Sequence, residues 1–305
     1  MQEKYDVVII GAGPAGIAAA IYASRGNLKC AIIEKEMPGG QVNKTSIVEN
    51  YPGFPKITGP ELVEKFFKQL NSLEIKQIYS EVTSIKINKK SKTIMLKNGK
   101  TVNTKAVILA MGRKPKKLTS DHYKSLEGKG ISYCSLCDGN LYKGEDVSIV
   151  GSGNSALEEA LYLSKICKSV TVLCRSESLK GDPVLIEKLE AKKNIKTLYN
   201  TSIESFHGKD RILKSITLNQ NGEQVELETK ACFIFIGYEP ATEFLKKLNI
   251  LDNEGYIIVD SNYRTKINGI YAAGDVVKKE AFQIVTSVSD GALAAVSAIK
   301  DIQEM

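Results

Sequence analysis

The sequence has no apolar run approaching the roughly 18 residues of a membrane-spanning helix. It also opens without a leader, because Met1 leads almost at once into Tyr5-Asp6-Val7-Val8-Ile9-Ile10 and then glycine, so a cytoplasmic location is expected. Histidine is scarce: His122 and His207 stand apart with no partner pattern, and no chemistry is expected of either. Long charge blocks are missing too. The net charge is +7, but the lysines alternate with Glu and Asp, and the longest basic clusters, Arg113 to Lys117 and Lys278-Lys279, are short. That distribution describes a solvated surface and not a nucleic-acid face; the excess suits phosphate-bearing cofactors or an acidic protein partner. At 43% hydrophobic and 25% charged residues the composition is that of a globular enzyme, and 305 residues predict two domains.

In the expected cytoplasmic setting, six cysteines argue against a structural disulfide framework and for one catalytic pair among otherwise reduced thiols. Cys30, Cys167, Cys174 and Cys232 lie in or beside apolar runs, where buried packing is expected. Cys134-Ser135-Leu136-Cys137-Asp138-Gly139 is different. Its two-residue spacing permits a small closed loop, and such pairs often make a thiolate available at neutral pH. Standing shortly ahead of a glycine loop, the pair predicts a disulfide that exchanges electrons with a bound cofactor, with Asp138 next to it as a proton shuttle. Half of a zinc site is the other reading, but Cys167 and Cys174 match no common zinc spacing, and no metal is expected.

Two glycine loops organise the chain. The strand-like Val7 to Ile10 opens into Gly11-Ala12-Gly13-Pro14-Ala15-Gly16, and Ile17 to Tyr22 continues as a helix. The first glycine allows the turn, the second lets the backbone approach a pyrophosphate, and the third permits close helix packing. Cys30 to Glu34 is the next strand, and its terminal acid is spaced to bind both ribose hydroxyls. The pattern recurs: Asp146 to Val150 leads into Gly151-Ser152-Gly153-Asn154-Ser155-Ala156, with Leu157 to Leu163 helical, and a strand Ser169 to Cys174 ends at Arg175. A guanidinium binds a 2′-phosphate that a carboxylate would repel, so the two loops are built for different dinucleotides.

Each loop is followed by a hairpin-rich stretch. Val82 to Ile87 and Thr93 to Leu96 precede Asn98-Gly99, and Leu213 to Leu218 and Gln224 to Leu227 flank Asn221-Gly222. Each stretch closes on an apolar strand ending in glycine, Ala106 to Gly112 and Ala231 to Gly237, with Pro115 and Pro240 just beyond as connectors. A strand at Tyr256 to Val259, another at Gly269 to Asp275 and a helix from about Gln283 to Ile302 start no third repeat, and are expected to return and complete the first domain. The fold class predicted is α/β: two Rossmann-like three-layer dinucleotide-binding domains, each with a β-meander, residues 1–114 with 242–305 forming one and 115–241 inserted as the second.

In order along the chain, Gly11 to Gly16, Gly39-Gly40-Gln41 with Glu49-Asn50-Tyr51-Pro52-Gly53, Cys134 to Gly139, Gly151 to Ala156 with Glu158-Glu159-Ala160, and Tyr271-Ala272-Ala273-Gly274-Asp275 make the sequence resemble the low-molecular-weight thioredoxin reductases, flavoproteins with two dinucleotide sites. The resemblance implies FAD on the first unit, held by Gly11, Gly13, Pro14, Ala15 and Gly16, with Glu34 on the adenosine ribose. Gly39, Gly40, Gln41 and Asn50 would surround the isoalloxazine and diphosphate, Asp275 after Gly274 would meet the ribityl chain, and Gln283 and Ile284 would close over the pyrimidine edge. It implies NADPH or NADH on Gly151, Gly153, Asn154, Ser155, Ala156, Arg175 and Lys180, and adds Gly112 and Gly237 to the cofactor-binding set. Cys137 would contact the flavin, Cys134 would attack thioredoxin or a similar small disulfide protein, and Asp138 would move the proton. Electrons would run from NAD(P)H through FAD and the cysteine pair, in a homodimer whose domains rotate about connectors near Arg113 to Lys116 and Gly237 to Ala241.

Two departures stand out. The basic run that relatives use for the 2′-phosphate, HRRxxxR, reads Cys174-Arg175-Ser176-Glu177-Ser178-Leu179-Lys180 here, and Phe282 stands where an arginine usually precedes the glutamine. Losing one charge-assisted hydrogen bond of about 1.5 to 3 kcal/mol weakens NADPH preference by roughly ten- to a hundred-fold, which opens the site to NADH. The eroded run also lends support to a ferredoxin-dependent flavin thioredoxin reductase, against which the intact Gly151 to Ala156 loop speaks. Other rivals are a flavoprotein reductase for another electron carrier, which the cysteine pair disfavours, a nucleotide-sensing or metal-binding regulator without turnover, and the reductase of a peroxide-detoxifying system.

Overall fold

A computed structural model describes residues 4–45, 47–118, 123–210 and 212–304. The chain divides into two units, one of Met1–Lys114 with Glu239–Met305 and one of Pro115–Tyr238. The segments that link them, Arg113–Pro115 and Tyr238–Pro240, run as a hydrogen-bonded pair.

The first unit is built on strand Lys4–Ile10, whose residues alternate between two cores. Val7 and Ile9 join the cluster under the helices Pro14–Arg25 and Ile284–Gln303, whereas Val8 and Ile10 join the opposite cluster with Leu245, Ile250 and Ile257. A strand buried on both faces reads as a continuous apolar run, and the sequence does. Lys4–Ile10 pairs in parallel with Cys30–Glu34 on one side and with Thr101–Leu109 on the other. Thr101–Leu109 does double duty. Its first residues pair antiparallel with Lys92–Leu96, which pairs with Val82–Ile87 as a meander, while its last residues take the late strand Ile270–Ala272 in parallel. Helix Gly59–Asn71 is started by a capping box in which Thr58 and Glu61 satisfy each other's backbone N–H groups.

The second unit repeats the scheme. Five parallel strands run in the order Ile195–Leu198, Ser169–Leu173, Asp146–Val150, Ala231–Ile234, Ile131–Ser132. Helix Asn154–Leu163 and helix Pro183–Glu190 cover one face through Leu157, Ala160, Leu163 and Leu189. A separate meander, Thr201–Lys209, Ile212–Gln220 and Glu223–Glu228, covers the other through Phe206, Leu213, Ile216 and Leu218.

Two Asn-Gly pairs behave differently. Asn221 and Gly222 both have positive φ, 53° and 91°, and make a two-residue turn between Gln220 and Glu223. At Asn98-Gly99 only the glycine does, with φ 79°, and the loop is longer, closed by Lys100 N–H donating to the Asn98 side chain. The strand expected over Tyr256 to Val259 is reduced to isolated bridges from Ile257 to Leu251 and Val277. Asp252 takes the start of the segment out of the ladder, its carboxylate accepting the N–H groups of Glu254 and Tyr256, while Ile257 and Ile258 donate to the carbonyls of Val276 and Ile250 on different neighbours. The closing strands end earlier than their glycines, at Leu109 and Ile234.

Candidate active site

The second unit holds the cysteine pair. Strand Ile131–Ser132, paired with Cys232 and Phe233, delivers the chain to Cys134, which caps the single helical turn Ser135–Asp138. Cys134 and Cys137 are joined in a disulfide with Cα atoms 5.3 Å apart. The Cys137 N–H donates to Cys134 Sγ at 3.1 Å. Ser132 braces the turn from behind: its hydroxyl accepts the Cys134 N–H at 3.1 Å and donates to Asp138 Oδ2 at 2.6 Å. Cys134 is buried and Cys137 exposed, the reverse of what attack by Cys134 would need in this conformation. Leu141, three residues past Asp138, is an apolar side chain 76% exposed. The four other cysteines are free and buried, and burial pushes the thiols of Cys30 and Cys167 up to about 11 and of Cys232 to about 12. Only the pair is set up for exchange.

In the first unit the Gly11 to Gly16 loop is a tight turn from strand to helix. Gly11 has φ 102°, and a side chain there would run into the Ala110 carbonyl; one at Gly16 would strike the Gly11 carbonyl. Gly13 is open, with nothing within 4 Å of where a Cβ would stand. Pro14 and Ala15 begin the helix. Glu34 Oε2 accepts the Ala12 N–H at 2.8 Å, and Oε1 accepts from Lys35 and Glu36, so its carboxylate is fixed at the loop. The Gly39 N–H donates to Ala12 O, and a Cβ on Gly40 would come within 3.5 Å of the Gly13 Cα. Gln41 donates to the Arg113 carbonyl at 3.1 Å, beside Gly112, and Asn50 donates to Gln283 at 3.1 Å across 233 residues of chain. Gln283 caps the terminal helix that Ile284 begins. Asp275, following Gly274, accepts from Ser287 at 3.0 Å and pairs with Arg113 at 3.3 Å and Lys279 at 3.6 Å. The Arg113 guanidinium lies 3.6 Å from the centre of the Phe282 ring, a stacked cation–π contact. These first-unit positions, far apart in sequence, converge on one region.

The second glycine loop repeats the turn: the Gly151 N–H donates to Leu173 O as that of Gly11 does to Ile33 O, and Gly153 is as open as Gly13. Asn154 is held at both ends of its amide by Asp182, and Ser155 and Ala156 continue the helix. Arg175 and Lys180 are exposed, and the Lys180 N–H donates to Ser152 O at 2.7 Å, which folds the run back to the loop. Cys174 donates its thiol to the carbonyls of Ser176 and Ser178, stapling that run from beneath. Gly237 has φ 100° and open space around it.

Some contributors were silent in the sequence. Ser132, Ser135 and Arg113 become partners of Asp138, Glu159 and Phe282 only through tertiary packing. Glu159 was visible in the sequence as part of the Glu158-Glu159-Ala160 run, but its burial beside Ala156, Ala160 and Leu163 was not. His122 lies outside the described residues, and His207 hydrogen-bonds Ser205 and Thr217 on the meander. Among the described residues no group of three or more His, Cys, Asp or Glu side chains is arranged to hold a metal, and no helix is long and apolar enough to cross a membrane.

Residues 5–291 match the family model described as pyridine nucleotide-disulphide oxidoreductase. The chain is 38% identical to a thioredoxin reductase of Bacillus subtilis, over 100% of this chain and 97% of that protein. It is 43% identical to one from Ureaplasma parvum, over 97% and 96%. The crystal structure of Lactococcus lactis thioredoxin reductase superposes with a TM-score of 0.96 at 37% identity, covering 99% of this chain and 100% of that one. The family match covers most of a chain that is also matched end to end by these relatives, and the chain belongs to the pyridine nucleotide-disulphide oxidoreductase family.

Proposed function

We propose that this protein is a thioredoxin reductase, passing electrons from a reduced nicotinamide through FAD and the Cys134–Cys137 pair to a small disulfide protein. The observation that carries the reading is the closed disulfide in a turn braced by Ser132 and Asp138, within the unit that bears the second glycine loop. The first unit suits FAD. Gly13 and Gly112 leave backbone open where a ligand would approach, Glu34 is aimed at the first loop, and Asn50 and Gln283 meet beside the start of the terminal helix. Bound there, the flavin supplies a two-electron relay between nicotinamide and disulfide. The second unit suits the nicotinamide cofactor through Gly151, Gly153, Asn154, Ser155 and Ala156, with Arg175 and Lys180 as the cations available to a 2′-phosphate; with no more than these, NADPH and NADH are both accepted. Gly237, like Gly112, offers open backbone.

The residues of the turn divide the work. The Cys137 N–H favours negative charge on Cys134 once the pair is reduced, so Cys134 is the attacking sulfur and Cys137 the one that meets the flavin. Asp138, held by Ser132, moves the proton. Leu141 gives the partner protein an apolar contact next to the pair. Free, buried cysteines beside a single closed pair suit a reducing compartment, and we assign the protein to the cytoplasm as a homodimer.

The test is trapping. Cys137→Ser should accumulate a mixed disulfide between Cys134 and thioredoxin, visible by mass spectrometry, while Cys134→Ser should not, and both should lose thioredoxin reduction yet keep bleaching of the flavin by NADPH or NADH. Adduct formation only in Cys134→Ser would transfer the attacking role to the exposed Cys137, and turnover retained in both would end the reading.

A further inference from the structure

Behind the cysteine turn lies a buried acid that the proposed chemistry does not use. Glu159 sits on helix Asn154–Leu163 and is 5% exposed; Ser135, between the two cysteines, is fully buried. Neither the Ser135 hydroxyl nor Glu159 Oε2 makes a well-aligned hydrogen bond to any described residue, although the hydroxyl is close enough to the carboxyl to steady its charged form. Two polar groups left without good partners in one buried place are costly unless one stays uncharged.

The surroundings favour the uncharged acid. Burial, and then the neighbouring charge of Glu158, push the Glu159 carboxyl up to about 7 against the single opposing hydroxyl. From its own helix Tyr162 also bears on it, and burial and Glu159 together raise that phenol. Helix Pro183–Glu190 adds Leu185, Ile186 and Leu189 to this core, and the strands beneath add Val147, Ile149, Val170 and Val172. Cys167 acts on Tyr162 and is itself pushed up to about 11 by burial. From the cysteine turn, Asp138 is turned to Ser132 and Ser135 alone is turned to Glu159. Among the described residues, Ser135 and Glu158 are the groups that act on the acid beyond burial itself.

We propose that Glu159 is a positioning residue of the redox pair, sharing a proton with the reduced cysteines so that an ionised carboxylate and a thiolate in the turn disfavour each other. Reduction breaks the Cys134–Cys137 bond, takes two electrons from the reduced flavin and two protons, and leaves two thiols. When one thiol then ionises, its proton leaves for solvent if Glu159 is already neutral, or is taken up on Glu159 if that group is a carboxylate, so a single negative charge remains in either case. The acid acts through Ser135 and through its field, without touching substrate. Two interacting groups of this kind titrate as a pair.

The inference needs the cysteines to cycle but not the partner assigned above, and its test uses neither thioredoxin nor a nicotinamide. Flavin-containing protein is reduced with a phosphine, desalted without oxygen, and alkylated with iodoacetamide between pH 5.5 and 9; the four buried cysteines serve as internal controls. The rate at Cys134 and Cys137 should rise in two steps in the wild type, with a break near pH 7, and in one step in Glu159→Gln. At pH 8 the variant should react about three- to tenfold faster, the effect of half to one unit in thiol ionisation. Ser135→Ala, which removes the hydroxyl that steadies the carboxylate, should move the break to higher pH. Superimposable profiles for Glu159→Gln and wild type overturn the proposal. If Glu159→Gln does not fold, an unmoved break in Ser135→Ala overturns it equally.

Discussion

Ser132 serves two masters with one hydroxyl: it takes the Cys134 N–H and gives its own hydrogen to Asp138. The carboxylate beside the disulfide is therefore aimed by a residue that reacts with nothing. Ser132→Ala should leave flavin binding and flavin reduction intact but slow thioredoxin reduction by about tenfold, part of the roughly hundred- to ten-thousand-fold that positioned proton transfer contributes. Stopped-flow traces that separate the two half-reactions check this; equal slowing of both would deny the aiming role. At this scale the sequence was legible where chemistry is local. Cys134 and Cys137 are neighbours, so their disulfide could be read from spacing, whereas the division of roles among Cys134, Cys137 and Asp138 rests on the resemblance and remains a proposal. Ser132, Ser135 and Glu159 act through a turn packed against a helix, and no spacing encodes that contact.

Among elements, the pairing of Pro14–Arg25 with Ile284–Gln303 decides the shape of the first unit's helical layer. The two helices approach so closely at Gly291 that a side chain there would collide with the Ala15 backbone carbonyl. Gly291→Ala should accordingly cost about 1 to 3 kcal/mol, despite alanine's higher helix propensity, because overpacking outweighs it. Thermal or urea unfolding measures the loss, and a stabilised variant would contradict the close approach. Strands buried on both faces and strand–glycine–helix turns were readable, since composition and turn geometry fix them locally. Helix Gly59–Asn71 was legible but not predicted: Thr58, Pro60 and Glu61 mark its start, and Leu62, Val63, Phe66, Phe67 and Leu70 recur along one face. The Tyr256 to Val259 strand was expected from its apolar residues and lost to the Asp252 turn, a side chain competing for backbone donors, and to the bonds that Ile257 and Ile258 make to different neighbours.

For the whole molecule, the outer side of the same helix pair carries exposed Tyr22, Val285, Leu293 and Val296. Val285, Leu293 and Val296 recur at spacings that keep them on one stripe, the kind of unpartnered apolar surface that a second copy covers. In the homodimer proposed above this stripe would be the interface, and Leu293→Asp combined with Val296→Asp should then lower the mass in light scattering from twice the chain mass to once, with the flavin retained; an unchanged mass would assign the interface elsewhere. A different consequence attaches to Thr101–Leu109, which finds one neighbour just before it in the chain and another, Ile270–Ala272, only after the whole intervening unit. During synthesis, then, the inserted unit can mature while its host still presents a raw sheet edge awaiting closure. The stretch that seals the host leaves the ribosome after the insert, so a chain ended before Ile270 carries a finished insert on an unfinished, aggregation-prone frame.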